Sequence, residues 1–284
     1  MNAPATHYKL NRDPGWTGHL QLEFERIQEK TFLSHNLHKG PLVVQRPLYP
    51  EGPDVCHTCI LHPPGGVVGG DRLVIDATVK KDASVLLTTP GATKFYRSGG
   101  RLAKQKQHLK VAAGANLEWF PQDTIVFPGA DAVIETRIDL TATATFMGWE
   151  ILCLGLPINK KLFTKGQLQT RLSLYREDTI LFLDQLRVNN KQDLSRPTGL
   201  RGFPVTATFI STNGNSDILS TIRELAPEEQ DAMLGATLLH NELLIIRYLG
   251  YSTFAAHALF AEIWALIRPQ IINKNACAPR IWAT

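Results

Sequence analysis

Cys56-His57-Thr58-Cys59, followed by His62, is the first group in this sequence whose residue types suit chemistry. Thiolate and imidazole are natural ligands of zinc and nickel. The spacing works against a joint site. On a strand, side chains alternate between faces, so Cys56 and Cys59 point to opposite sides. No second Cys-x-x-Cys or His-x-x-x-His pair completes a set of four ligands. The segment reads first as two half-buried cysteines, then as a transient or interfacial metal site, and last as a closed zinc site.

A second set is acidic. Glu118, Asp123, Glu135, Asp139 and Glu150 sit among apolar or aromatic neighbours, as in Leu117-Glu118-Trp119 and Trp149-Glu150-Ile151. A carboxylate in such company is costly to bury unless it is paired or holds a cation. An arginine such as Arg72 or Arg97 is the ordinary partner. A cation in transit is the other. Asp71 joins this set at the end of Pro63-Pro64-Gly65-Gly66-Val67-Val68-Gly69-Gly70-Asp71.

Four glycines in that loop could bring backbone N–H groups to an anion. The loop fits neither the phosphate-loop order nor the dinucleotide fingerprint, and no helical pattern follows it. A tight strand-to-strand turn needing positive φ accounts for the glycines, with Asp71 capping it through its side chain. Between Lys94 and Lys110 lie six lysines and arginines, His108 and no acid. On a strand Lys104, Lys106, His108 and Lys110 share one face, either solvated or facing an acidic or nucleotide-carrying partner. No aromatic residues interleave to stack bases, which argues against nucleic acid. No metalloprotease or nucleophile-elbow motif appears, so the sequence offers no enzyme mechanism.

The elements that must position these residues follow a period of two. Leu73, Ile75, Ala77 and Val79 alternate with polar residues over Arg72–Lys80, as do Ile134, Ile138 and Leu140 over Ala132–Leu140, and Leu168 to Leu174 over Gln167–Tyr175. Leu20, Leu22 and Phe24 behave alike. This is the signature of half-buried strands. Further strands are expected at Ser84–Thr89, Gln105–Val111, Asn116–Phe120, Thr141–Met147, Thr179–Val188, Val205–Ser211 and Thr237–Tyr248. Helical spacing is confined to the last third: Ile218 to Leu225, a helix opening at Pro227-Glu228-Glu229 and ending near Gly235, and Thr253–Ile267 stopped by Pro269. Strand after strand without alternating helices argues for a large all-β core with a few late helices.

The chain has 284 residues, 44% hydrophobic and 20% charged, with a net charge of +4. That is a folded composition, and a chain of this size buries about 75% of its unfolded surface without disulfide staples. Four cysteines make no disulfide framework. No apolar run is long enough to span a membrane, and residues 1–20 lack the charged start and apolar core of a signal peptide, so the cytoplasm is the expected location. Without repeats or linkers, residues 1–284 read as a single domain.

Five segments carry a resemblance. They are Gly40-Pro41-Leu42-Val43-Val44-Gln45-Arg46-Pro47-Leu48-Tyr49-Pro50-Glu51, the stretch Leu61 to Leu73, Thr88 to Arg97, Leu117 to Phe127, and Pro279-Arg280-Ile281-Trp282-Ala283-Thr284. In type and order they resemble the UreD (UreH) family of urease accessory proteins across nearly the whole chain. The resemblance implies a mainly β fold, a stacked, helix-like arrangement of strands with a few α-helices. It implies a non-enzymatic scaffold or chaperone for urease maturation that binds a UreF-like accessory protein, reaches a UreG-like GTPase through it, docks on apo-urease and helps insert nickel. No cofactor is tightly bound in that picture; nickel is in transit, through an internal water-filled passage. Asp71, Glu118 and Glu150 are the expected transient ligands. Where the family reads Gly-Arg-Pro, this chain has Gly155-Leu156-Pro157. The contrasting reading is an anion- or nucleotide-binding β-protein that uses the glycine loop and the Lys94–Lys110 stripe.

Overall fold

The computed structural model describes residues 15–283. Residues 1–14, on which most of the signal-peptide expectation rests, and Thr284 of the last motif lie outside the described residues.

The chain opens with an antiparallel hairpin of β1 (Thr17–Ile27) and β2 (Lys30–Lys39). The short β3 (Val43–Val44) then borders β4 (Val55–Leu61). From there the backbone winds between two sheets. β5 (Arg72–Val79) lies parallel to β1, and β6 (Ser84–Thr88) lies parallel to β4. The brief β7 (Thr93–Phe95) leads to β8 (Ala103–Val111) beside β5, then β9 (Asn116–Phe120) beside β6. β10 (Thr124–Val126) stacks on β7, and β11 (Asp131–Leu140) on β8. β12 (Thr145–Leu156) runs beside β9 and β10, with β13 (Lys161–Leu162) folded back on its end. β14 (Gln167–Arg176) closes the last parallel rung against β11.

The pairing is then antiparallel: β15 (Thr179–Val188) on β14, β16 (Val205–Ser211) on β12, and β17 (Met233–Leu239) with β18 (Leu243–Gly250) at the far edge. Three helices fall late: α1 (Lys191–Ser195), α2 (Ser216–Arg223) and α3 (Thr253–Ile272).

Parallel strands normally need a helical crossover. Here the crossover is the strand of the opposite sheet, which is why the rungs are parallel although no helices alternate with them. Val55 pairs with Ser84, Ser84 with Asn116 and Asn116 with Thr145. That is about 30 residues per rung, a solenoid built without sequence repeats. The expected stacked-strand, mainly β fold with helices in the C-terminal third is therefore present.

Two cores result. One fills the space between the sheets, with Leu73, Ile75, Leu109, Leu117, Trp119 and Ile138 among its members. The other lies between the outer face of the larger sheet and helices α2 and α3. Ala256, Leu259, Phe260, Ile263 and Ile267 of α3 are all buried there, as their spacing requires.

Several local expectations change. Residues 141–144 form a turn, and the strand that follows runs on to Leu156 because β12 is buried on both faces and does not alternate. Thr237–Tyr248 is two strands turned at His240 and Asn241, both at positive φ. Pro227-Glu228-Glu229 opens no helix; Glu229 instead accepts hydrogen bonds from the Tyr248 hydroxyl and from the Tyr251 N–H at 2.8 Å. Gly235 lies in β17 opposite Arg247. Pro269 sits inside the last turn of α3, which ends at Asn273 in the left-handed conformation.

Candidate functional site

β12 has two environments because its alternate residues leave by opposite faces. Met147, Trp149, Ile151 and Cys153 join the helix-covered core, while Phe146, Leu152 and Leu154 join the core between the sheets. Glu150 shares parity with the second set, so its carboxylate stands inside the solenoid. There it accepts a hydrogen bond from the Thr136 hydroxyl, which itself accepts from Gln107 Nε2 at 3.2 Å.

Glu150 borders two cavities. One, of about 240 Å³, is lined by His62, Lys94, Gln105 and Gln107 among apolar residues. The other, of about 330 Å³, is lined by Thr170, Asp184, Thr206, Thr208 and Arg247, with Asp184 and Arg247 paired at 3.0 Å. Burial pushes the Glu150 carboxyl up to about 7, against the Thr136 hydrogen bond and with some help from the Asp184 charge. A carboxyl poised there changes its charge near neutral pH. Burial also lowers the pKa of His62, against the pull of the Asp71 charge, which favours the neutral, ligand-competent imidazole.

Glu118 faces the other way. Its Oε1 accepts from Trp264 Nε1 at 2.6 Å and Arg268 Nε at 2.9 Å; its Oε2 accepts from Arg268 Nη2 at 2.9 Å. Arg268 is fully buried and also donates to Glu51, at 2.5 and 2.8 Å, and to the Asn275 carbonyl. Glu51 in turn contacts His57 Nε2 at 2.6 Å. Burial opposes the charge on Arg268, but its two carboxylates more than offset that and raise its pKa. The arginine that answers Glu118 is thus neither Arg72 nor Arg97. It comes from α3, where it continues the buried stripe.

Asp71 lies at a corner of the solenoid. Its carboxylate accepts the N–H of Val68 and that of Trp16, each at 2.9 Å, so it caps the glycine loop as expected. The glycines serve for two reasons. Gly70 has φ +99°, whereas Gly66 has no positive φ; a Cβ there would come 2.2 Å from the Tyr96 ring and 2.9 Å from the Lys94 carbonyl. Asp71, Glu118 and Glu150 therefore occupy a loop corner, the helix-facing side of the larger sheet and the solenoid interior, and they do not converge.

Cys56 is buried in the inner core, with its thiol against Thr58 Oγ1 at 3.6 Å, and Cys59 belongs to the opposite-facing set of β4. Burial raises both thiol pKa values, that of Cys59 to about 11. Among the described residues no group of three or more His, Cys, Asp or Glu side chains is placed to hold a metal ion.

The basic stripe is crossed by acids from neighbouring strands. Lys106 pairs with Glu135 at 2.9 Å, and His108 sits between Asp139 and Asp76. Sequence order hides this, because the acids arrive from the rungs on either side. Leu156 stands at the start of the short turn Pro157–Asn159, after Gly155 at φ +89°. No described helix is long and apolar enough to cross a membrane.

A two-sheet β-solenoid with an apolar core between its sheets and α3 packed on one outer face defines the fold class. The UreD urease accessory protein model matches residues 17–283. The urease accessory protein UreD of Alcanivorax borkumensis is 45% identical over 100% of this chain and 96% of its own length. Those of Citrobacter koseri and Dechloromonas aromatica are each 42% identical, over 98% and 95% of this chain and 94% and 96% of their own lengths. The chain belongs to the UreD urease accessory protein family, and membership implies a part in urease maturation.

Proposed function

We propose that this protein is a non-catalytic, cytoplasmic maturation factor that helps nickel reach apo-urease. It does so in complex with a UreF-like protein and, through it, a UreG-like GTPase. Nickel is its cargo. The observation that carries this reading is the position of Glu150 between two internal cavities, with its carboxyl poised near neutrality. His62 and the amides of Gln105 and Gln107 line the same space. Oxygen and imidazole donors met singly, not as a cage, suit an ion that must also leave.

Of the three carboxylates read as ligands, Glu150 is the one assigned to the route. Both oxygens of Glu118 are engaged by Trp264 and Arg268, and both oxygens of Asp71 by backbone N–H groups. The anion-binding alternative gains no support at Lys106 and His108, which Glu135, Asp139 and Asp76 already engage.

The test is co-expression of Glu150→Gln with urease and the partner proteins of the same host. Urease nickel content, by elemental analysis, falls several-fold while the accessory complex still assembles. Normal nickel loading overturns the assignment.

A further inference from the structure

The glycine loop is expensive to build, and neither cavity accounts for all of it. A Cβ on Gly69 would lie 2.4 Å from the Ser98 carbonyl, so the loop is pressed against the turn of the next rung. Gly70 donates to the Leu102 carbonyl at 3.2 Å, and Arg72 donates to the Trp16 carbonyl at 2.8 Å. With Asp71 holding the N–H groups of Trp16 and Val68, three segments far apart in sequence are fastened into one corner.

That corner presents apolar side chains to solvent. Trp16 is 68% exposed, Val68 44% and Leu102 42%. Scattered exposed hydrophobics need no explanation. Three of them fixed around one hydrogen-bonded carboxylate are different, because a pre-ordered apolar surface loses little entropy on binding. Tryptophan is also among the residues enriched as interface anchors.

The charges around them are positive in excess: Arg72, Arg97, Arg101 and Lys104 stand against Asp71 and Asp131. Arg72 and Arg97 are exposed, and among the described residues neither has an ion-pair partner. Of the acids here, Asp71 is committed to backbone N–H groups, while Asp131 stands at the start of β11, just ahead of the Ala132–Ala103 pair.

We propose that this corner is a docking surface for a separate protein that presents an acidic segment with an apolar anchor. Trp16, Val68 and Leu102 receive the anchor. Arg72 and Arg97 steer the acidic surround and give the contact its salt dependence. The choice of probes below rests on the proposed maturation role; the outcome does not, since it is read as binding and not as nickel loading.

The test uses the full chain with purified apo-urease and, separately, the purified UreF-like protein of the same host. Val68→Glu and Leu102→Glu are made singly, so that one remains if the other fails to fold. For one of the two partners, Kd rises at least about tenfold in each variant, since a buried unpaired charge at an interface costs more than ~1.4 kcal/mol. Arg97→Glu weakens the same partner, and raising salt weakens the wild type more than Arg97→Glu. A photo-crosslinking residue at Val68 joins the chain to that partner at an acidic segment. Unchanged affinity for both partners overturns the proposal. So does a crosslink to residues 1–14 of the same chain or to a second copy of it.

Discussion

Glu118 and Glu150 stand on neighbouring strands of one sheet and face opposite ways. Glu118 points outward into Arg268 of α3, and Glu150 points inward to the cavities. One is held in a buried ion pair. The other is a carboxyl whose charge depends on pH. The same residue type thus has two physical roles, set by strand parity alone.

Glu118→Ala is expected to destabilise the fold by about 3–5 kcal/mol, because fully buried Arg268 loses a carboxylate that holds its charge. Urea unfolding measures this. Glu150→Ala, made at a cavity wall with no ion pair, costs much less. Equal losses in the two variants would contradict the distinction.

A pH series separates the two acids further. The Glu150 carboxyl is pushed up to about 7 in the fold, from an ordinary value of 4.5. Between those values the folded state binds the proton that the unfolded chain has released. Stability from this group is present below pH 4.5 and is lost as pH rises through 7, by roughly 3 kcal/mol in all. Glu150→Gln removes that loss. Relative to wild type, the variant gains stability between pH 5 and pH 8, and a flat difference would refute the shift.

Gly66→Ala and Gly70→Ala each cost about 1–3 kcal/mol, for different reasons. The first is steric, so Tyr96→Ala added to Gly66→Ala recovers part of the loss. The second is backbone strain at φ +99°, and no trimming of neighbours recovers it. Thermal melts of the single and double variants read out the contrast.

Cys56→Ser with Cys59→Ser leaves urease nickel content near the wild-type level. The two side chains leave β4 by opposite faces, and burial keeps both thiols protonated. A large loss of nickel with the protein still folded would place the thiols on the route.

Alternation made β5, β8 and β11 readable, because one face of each meets water and the other the inner core. β12 was harder: covered by the rungs on one side and α3 on the other, it shows no alternation beyond Met147. The acids were legible as unusual, but not their directions, since parity has meaning only once the core side is known. Arg268 carried a faint signal, its place four residues after Trp264 and eight after Phe260 on the buried side of α3, which a charged residue hides. Gly66 and Gly70 look alike in sequence; the Tyr96 ring against one of them is a contact between rungs that spacing does not reveal.

The closure of the larger sheet by α3 also sets an order of events on the ribosome. Glu118 is made 150 residues before Arg268, and Thr88 is made 194 residues before Trp282, which donates to it at 3.0 Å. At ~5–20 residues per second, Glu118 waits roughly 8–30 s for Arg268. Until α3 arrives Phe120, then Trp149 and last Phe209, a stacked aromatic cluster in the finished protein, face water or whatever shields the nascent chain.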